Sequence, residues 1–416
     1  MLRIDKYRIA VAMLFTVPAA QASIGLFEHG SGIKSMGMGG LSYAVGEETT
    51  VLPTNPALLQ GMGKRLDLGV DVLHPDANAT IHDNPAAPDQ RSRTSGRHWY
   101  PVPQGGFALP LSPSLSYGLS VYAAGLGPDY RQNPFARFGG DPRGSVSFAY
   151  MGVANALAWQ LSEHHSLGAS INLGYQSINI KGLGFLGSLS QTPDKVSDQG
   201  RDQAFGLGFS LGWRGQLLPT LTAGVGYRSK VWTQKFNDYR GLIPNGGEFD
   251  LPAIWGAGLA WTPVAPLMLG AEFQRFEFAR ESTFHNRIDQ LTPSKPLGAK
   301  GSAGFGMNSI NAYKLGVAWQ ASPSVQLRGG YLYSTQGNAQ TQTLFGILAP
   351  ITTTSVYSAG GSYTHGDWEF SGNGYYGPQT TVTGRNSIPA AFGGGEADLR
   401  FRNWGLGASI GRRFGR

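Results

Sequence analysis

The chain has 416 residues, with 61 glycines, no cysteine, only 14% charged residues and a formal net charge of +7. Glycine stands at about twice its ordinary usage of roughly 7%, charge lies far below the usual roughly 25%, and mean hydropathy is −0.18. Without an apolar run of roughly 18 residues beyond the N-terminus, these values exclude a helical membrane protein; 41% hydrophobic and 11% aromatic content excludes a disordered chain and leaves a large soluble β protein or a transmembrane barrel, whose strands hide hydrophobicity in alternation.

The elements begin with an export signal. Arg3, Lys6 and Arg8 form a basic start, an apolar stretch over 9–17 follows, and Ala20-Gln21-Ala22 makes a small-residue cleavage site. Residues 1–22 are read as a signal peptide; removing them leaves a net charge of +5. No block of basic residues follows, so nucleic acid is not a predicted partner. An exported chain without cysteine has no disulfides and relies on strand pairing.

Residues 23–62 resist strand assignment. They carry Gly25, Gly30, Gly32, Gly37, Gly39, Gly40 and Gly46, then Asn55-Pro56-Ala57-Leu58-Leu59. The stretch is compact and apolar, and its length suits folding up into a barrel lumen.

Beyond it, period-2 segments dominate. Leu167, Ala169, Ile171, Leu173 and Tyr175 alternate with Ser166, Gly168, Ser170, Asn172 and Gly174, and Phe205, Leu207, Phe209, Leu211 and Trp213 alternate with glycine and serine. Alternation puts one set on each face of a sheet. One face is bulky and apolar, the other mostly small, as in a crowded lumen behind a lipid-facing wall. Fourteen strands are predicted near 65–81, 98–111, 113–126, 143–161, 165–181, 203–216, 219–235, 249–262, 265–283, 304–320, 323–337, 353–365, 367–381 and 398–414. Pro101 and Pro103 interrupt the second, a sign of an irregular wall. Short turns alternate with long polar loops, and both termini fall on the short-turn, periplasmic side. Trp159, Trp213, Trp261 and Trp319 lie just before short turns and Trp368 just after one, which predicts an interface girdle. The predicted fold class is all-β, a transmembrane antiparallel β-barrel over 63–416 with 23–62 as a hatch.

At this point the chain resembles a known family. Gly25 through Met36-Gly37-Met38-Gly39-Gly40 and Ala44 to Thr54-Asn55-Pro56-Ala57-Leu58 is similar to the N-terminal hatch of the FadL/TodX family of outer-membrane channels for long-chain fatty acids and other hydrophobic compounds. Pro75-Asp76-Ala77-Asn78, Gly226-Tyr227-Arg228-Ser229, Leu251-Pro252 and Asn311-Ala312-Tyr313-Lys314-Leu315-Gly316 agree with it. The chain departs where family members carry Asp and Arg after a late outer loop; here Pro350-Ile351-Thr352-Thr353-Thr354 has neither. It also ends Phe414-Gly415-Arg416 rather than on the aromatic that the barrel-assembly machinery reads, so Phe414 is taken as the equivalent.

The resemblance implies a monomer in the bacterial outer membrane, surrounded by its lipid. It implies passive uptake of a hydrophobic small molecule, with lateral release through the wall, no cofactor and no enzymatic activity. It also places Leu26 and Phe27 in an inner pocket. Exposed apolar side chains in outer loops mark candidate capture sites: Phe135 and Phe138 in one loop, Phe185 in another. A fatty-acid carboxylate needs a cation, for which Lys181, Arg228, Lys314 and Arg328 are candidates; each could instead close a lumen ion pair, for example with Glu272.

The sequence leaves two other readings. Aromatic or alkane hydrocarbons are alternative cargo. An outer-membrane hydrolase would need His82, His98 or His285 beside Asp83, Asp89 or Asp289, without a nucleophile motif to complete it. The literal G-x-G-x-x-G over 182–187 lacks the βαβ context of a nucleotide site, and His164-His165 lacks further metal ligands.

Overall fold

The computed structural model describes residues 24–94, 99–350 and 352–415; the predicted signal peptide and His98 lie outside them. Among the described residues the alternating segments form fourteen long strands: β1 (Arg65–His82), β2 (Tyr100–Pro110), β3 (Leu115–Leu126), β4 (Gly144–Ser162), β5 (His165–Lys181), β6 (Asp202–Leu218), β7 (Leu221–Arg228), β8 (Ile254–Val264), β9 (Leu267–Phe276), β10 (Ile310–Ser322), β11 (Val325–Ser334), β12 (Ser355–His365), β13 (Trp368–Val382) and β14 (Glu396–Arg413). Each pairs antiparallel with the next, and β1 pairs with β14 from Arg65↔Arg413 to His82↔Glu396. The sheet is closed, so no wall edge is left to aggregate.

Pleating gives the wall two faces. Ile171 and Leu315 are 59% and 60% exposed on the outside, whereas Ser170 and Asn172 beside Ile171 are buried within. Trp159, Trp261, Trp319 and Trp368 project outward next to the short turns, where amphipathic rings suit a membrane interface.

The inner face is lined with glycine because another backbone lies on it. Residues 24–62 form no strand, only a helical turn at Ile33–Met36 and 3-10 turns at Thr49–Val51 and Pro56–Leu59. A Cβ on Gly212 would strike Asn55 Oδ1, one on Gly224 the Tyr43 carbonyl, and one on Gly330 the Gly39 nitrogen; one on Gly316 would lie 2.5 Å from the Met38 carbonyl. Close backbone approach is the established use of glycine in a strand.

Several strands end earlier than the alternation predicts. The expected strand 219–235 stops at Arg228 and resumes only at Trp232–Thr233. The expected 265–283 stops at Phe276, where the chain turns through Phe278–Arg280 and Ser282–His285 so that Phe278 and Phe284 pack inward. The expected 304–320 likewise starts later, at Ile310.

The proline-bearing strand is irregular as expected. β2 pairs with β1 along its length up to Leu73↔Tyr100. Against β3 it pairs only from Gly105↔Val121 to Pro110↔Ser116, so residues 100–104 have no partner in β3. Instead, Gly125 of β3 donates its N–H to the Leu26 carbonyl at 3.0 Å.

Gly212→Val should leave the barrel closed but expel the Asn55 turn. Limited proteolysis is expected to cut within residues 24–62 while gel mobility still reports a heat-resistant barrel.

Candidate lumen site and outer apolar cavity

A segment without strands must find acceptors for its N–H groups elsewhere, and side chains of the wall supply them. Glu272 of β9 receives the backbone N–H of Ser42, Tyr43 and Ala44 at 2.8, 2.7 and 3.2 Å. Asp67 of β1 receives the N–H and hydroxyl of Thr49, both at 2.9 Å. Within the segment, Glu48 caps the turn at Ile33–Met36 through the N–H of Lys34 and Ser35, at 2.8 and 3.1 Å.

The Asn55-Pro56-Ala57 motif works the same way. Asn55 accepts from the Ala57 N–H at 3.1 Å, capping the turn that Pro56 opens, and its amide donates to the Tyr43 carbonyl at 2.7 Å and the Trp213 carbonyl of β6 at 3.0 Å. One side chain therefore joins two parts of the segment to the wall. An aspartate could cap but not donate.

Above this turn lies an inner cavity of about 50 Å³, lined by Phe27, His29, Tyr43, Tyr122, Arg228 and Phe276 among others. Phe27 stacks on Phe276 with ring centres 5.7 Å apart. The Arg228 guanidinium lies 5.0 Å from the Phe27 ring centre and 5.5 Å from that of Tyr122, and among the described residues no carboxylate pairs with it. Burial lowers the His29 imidazole to about 4, so it is neutral at physiological pH. Leu26 is buried beside Phe27, against β3.

The other predicted cations are placed differently. Lys314 lines the same cavity but donates to the Gly40 carbonyl at 2.8 Å, and its cross-strand neighbour is Glu272. Arg328 binds Glu47 of the segment through Nε at 3.1 Å and Ser362 through Nη1 at 2.7 Å. Both hold the segment in place. Lys181 is exposed at the outer end of β5, apart from the cavity lining.

A second cavity of about 50 Å³ sits under the outer loops. It is lined by Leu126, Phe148, Ile178, Phe249, Phe305 and Phe345, with further aliphatic neighbours and no charged side chain. Sequence reasoning missed it. The signal was apolar clusters inside otherwise polar loops: Leu242-Ile243, Phe305 and Leu344-Phe345. The predicted capture residues form a neighbouring stack. Phe185 lies 6.1 Å from Phe135 and 6.2 Å from Phe138, and Phe138 lies 5.6 Å from Phe392, ring centre to ring centre. Phe135 is buried, while Phe138 and Phe185 are partly exposed.

The hydrolase candidates do not converge. His82 contacts Asp83 at 2.7 Å but hydrogen-bonds no serine hydroxyl among the described residues. His285 faces the Met307 carbonyl at 3.4 Å, and Asp289 pairs with Arg287 at 3.1 Å. Residues 182–187 lie in an outer loop leading into the 3-10 helix Gly184–Leu189, and His165 stacks on Trp213.

A closed fourteen-strand barrel with an apolar outer face is the architecture of an outer-membrane β-barrel protein. The family model described as outer membrane protein transport protein (OMPP1/FadL/TodX) matches residues 13–368, and the chain belongs to that family, which is one of transporters. Among solved structures, the chain is similar to the P. putida toluene transporter TodX, at 17% identity, covering 93% of this chain and 99% of that one, with a TM-score of 0.65. It is similar also to a Pseudomonas aeruginosa FadL homologue, at 15% identity over 95% and 100%, with a TM-score of 0.70. The Ralstonia pickettii toluene transporter TbuX follows at 17% over 93% and 99%, with a TM-score of 0.64. At these identities the likeness is one of fold. No curated protein matches the chain.

Glu272→Ala leaves three backbone N–H groups without their acceptor. It should destabilise the protein by on the order of 3 kcal/mol, read as a lowered urea midpoint of the folded barrel in lipid vesicles.

Proposed function

We propose that the protein is a channel for passive uptake of hydrophobic molecules across the outer membrane, with long-chain fatty acids as its cargo. The observation that carries this is Arg228, a cation without a carboxylate partner, set over the Phe27 ring in the inner cavity. A guanidinium is the usual receptor for a carboxylate, and the uncharged outer cavity suits an acyl chain. Moving along such a path exchanges one apolar surface for another, at roughly 25 cal/mol per Å².

In this reading Phe135, Phe138 and Phe185 capture the ligand and pass it through the outer cavity to the pocket of Leu26, Phe27 and Arg228. Lys181 guides the anion at the rim, and Lys314 and Arg328 reach it only when the segment moves. Both cavities, at about 50 Å³ each, fall below the roughly 300–1,000 Å³ of a ligand site, so passage requires residues 23–62 to act as a hatch that shifts about Asn55-Pro56-Ala57. The unpaired stretch of β2 beside β3, with Leu26 against it, supports lateral release there. The channel works as a monomer, since one chain closes the whole lumen.

A second reading, uptake of aromatic hydrocarbons, is favoured by the rings of Phe27, Tyr122 and Phe276 around the cavity and by the likeness to the two toluene transporters. The two are separated by comparing oleate with toluene uptake in a channel-deficient strain. Arg228→Gln is expected to lower oleate uptake roughly ten- to hundredfold, as loss of a charge-assisted bond of about 1.5–3 kcal/mol implies, and to leave toluene within about twofold. Equal loss of both cargoes, or of toluene alone, sinks the fatty-acid assignment. A disulfide tethering the segment to the wall should abolish uptake until reduced, and serines at Phe135, Phe138 and Phe185 should slow capture several-fold; unimpaired uptake in either case refutes that step.

A further inference from the structure

The outer face where β1 meets β14 changes character along its length. Near the middle of the wall it is apolar, with Val70 and Leu406 exposed. Next comes an aromatic cluster. His74 stacks on its cross-strand neighbour Trp404 at 5.2 Å, and Trp99 meets the two rings edge-on at 4.7 and 5.3 Å, ring centre to ring centre. Rings of this kind mark a membrane interface. Beyond them, toward the long loops, the same face carries Arg402 and Arg400 of β14. Arg91 and Arg93 join them from the short strand Gln90–Arg93, which pairs with the end of β1. Pleating fixes the direction of all four, because Leu399, Phe401 and Ser92, which alternate with them, are wholly buried within.

Three of these arginines have no counter-charge. Asn78 of β1 pairs with Arg400 on one side and with Arg93 on the other, so two cationic side chains flank it at one level. Arg91, two residues along, donates through Nε to Asn78 Oδ1 at 3.0 Å. Among the described residues none of the three meets a carboxylate, and Arg400 Nε is buried without an acceptor. The acids of this face are engaged elsewhere. Asp76 holds Arg402, Nε to Oδ2, at 2.9 Å. Asp398 accepts the Gly384 N–H at 3.0 Å and lies 3.6 Å from His82. Glu396 accepts the N–H groups of Asn386 and Ser387 at 2.7 and 3.1 Å. Like charges gathered across strands destabilise a sheet, and an anion set over Asn78 removes that cost.

We propose that Arg91, Arg93 and Arg400 bind the phosphate of a phosphorylated lipid in the surrounding leaflet, whose acyl chains lie along Trp404, Trp99 and Leu406. The guanidinium fork matches phosphate oxygens in pairs. Height selects a lipid over a soluble anion. Asn78 lies four residues beyond His74, roughly 13 Å of strand, so the arginines stand at headgroup depth when the rings stand at the interface. Because Asn78, Arg93 and Arg400 belong to three adjacent strands, one phosphate ties the first wall strand to the last from outside. The site lies on the outer face, apart from both cavities, and does not depend on which cargo the lumen carries.

The test titrates the full-length barrel in detergent with lipid A, and with lipid A stripped of phosphate, reading lipid occupancy by native mass spectrometry. Expected are one saturable lipid per barrel with the phosphorylated form and at least about tenfold weaker binding of the stripped form. The double variant Arg93→Gln, Arg400→Gln should lose affinity for the phosphorylated form to the same degree. Asp76→Asn, which releases Arg402, should bind it more tightly than the wild type, a gain that a purely structural role for this face would not give. Oleate and toluene uptake by the double variant should match the wild type. Equal binding of the two lipid forms, or unchanged affinity in the double variant, overturns the proposal. So does displacement of the lipid by millimolar inorganic phosphate, which marks a site for free anions. Loss of oleate uptake in the double variant to the extent seen in Arg228→Gln also overturns it and assigns these arginines to the cargo path.

Discussion

Backbone that lies inside a barrel without joining its ladder must have its buried N–H groups satisfied by the wall wherever its own turns do not supply an acceptor, and the rest of this molecule follows from that requirement. Glu272 receives three consecutive N–H groups and Asp67 a fourth. These carboxylates must then be compensated by Lys314, Arg65 and their neighbours, which accounts for charge inside a wall otherwise built of small residues. The glycines answer the same need from the other side, since a carbonyl can approach a strand closely only where no Cβ stands. Composition, charge placement and segment conformation are one constraint seen three ways.

Much of the architecture was legible because strand periodicity depends on only two environments, lipid and lumen. Leu167, Ile171 and Leu173 alternate with Ser166, Ser170 and Asn172, and the wall follows. Legibility failed where a third environment intruded. Phe276 and Phe278 keep the two-residue spacing, yet the strand stops between them because Phe278 packs inward with Phe27 and Phe284. Alternation names a face, not the height at which the chain leaves the wall.

The candidate site was read less well, for a related reason. Phe27 and Arg228 could be picked out separately, but their contact joins residues two hundred positions apart, and no local pattern encodes it. Lys314 and Arg328 carried the same sequence signal as Arg228 and proved to be ties for the segment. The apolar outer cavity was hidden because its lining comes in small groups from three wall strands, β3, β4 and β5, and from three outer loops far apart in sequence. Only Asn55-Pro56-Ala57 was local enough to be recognised, since cap, turn and anchor fall within three residues.

The seam between β1 and β14 joins the first wall strand to the last, and it lies immediately after the N-terminal segment. The Phe414 N–H reaches the Lys64 carbonyl at 2.9 Å, so the chain's end is pinned to the residue where the segment enters the wall. Pairings this distant in sequence form late. The cylinder is therefore zipped shut beside its own contents. The order of assembly is written into the topology: what fills the lumen is synthesised ahead of the wall, and β14, which follows the other thirteen strands, closes over it.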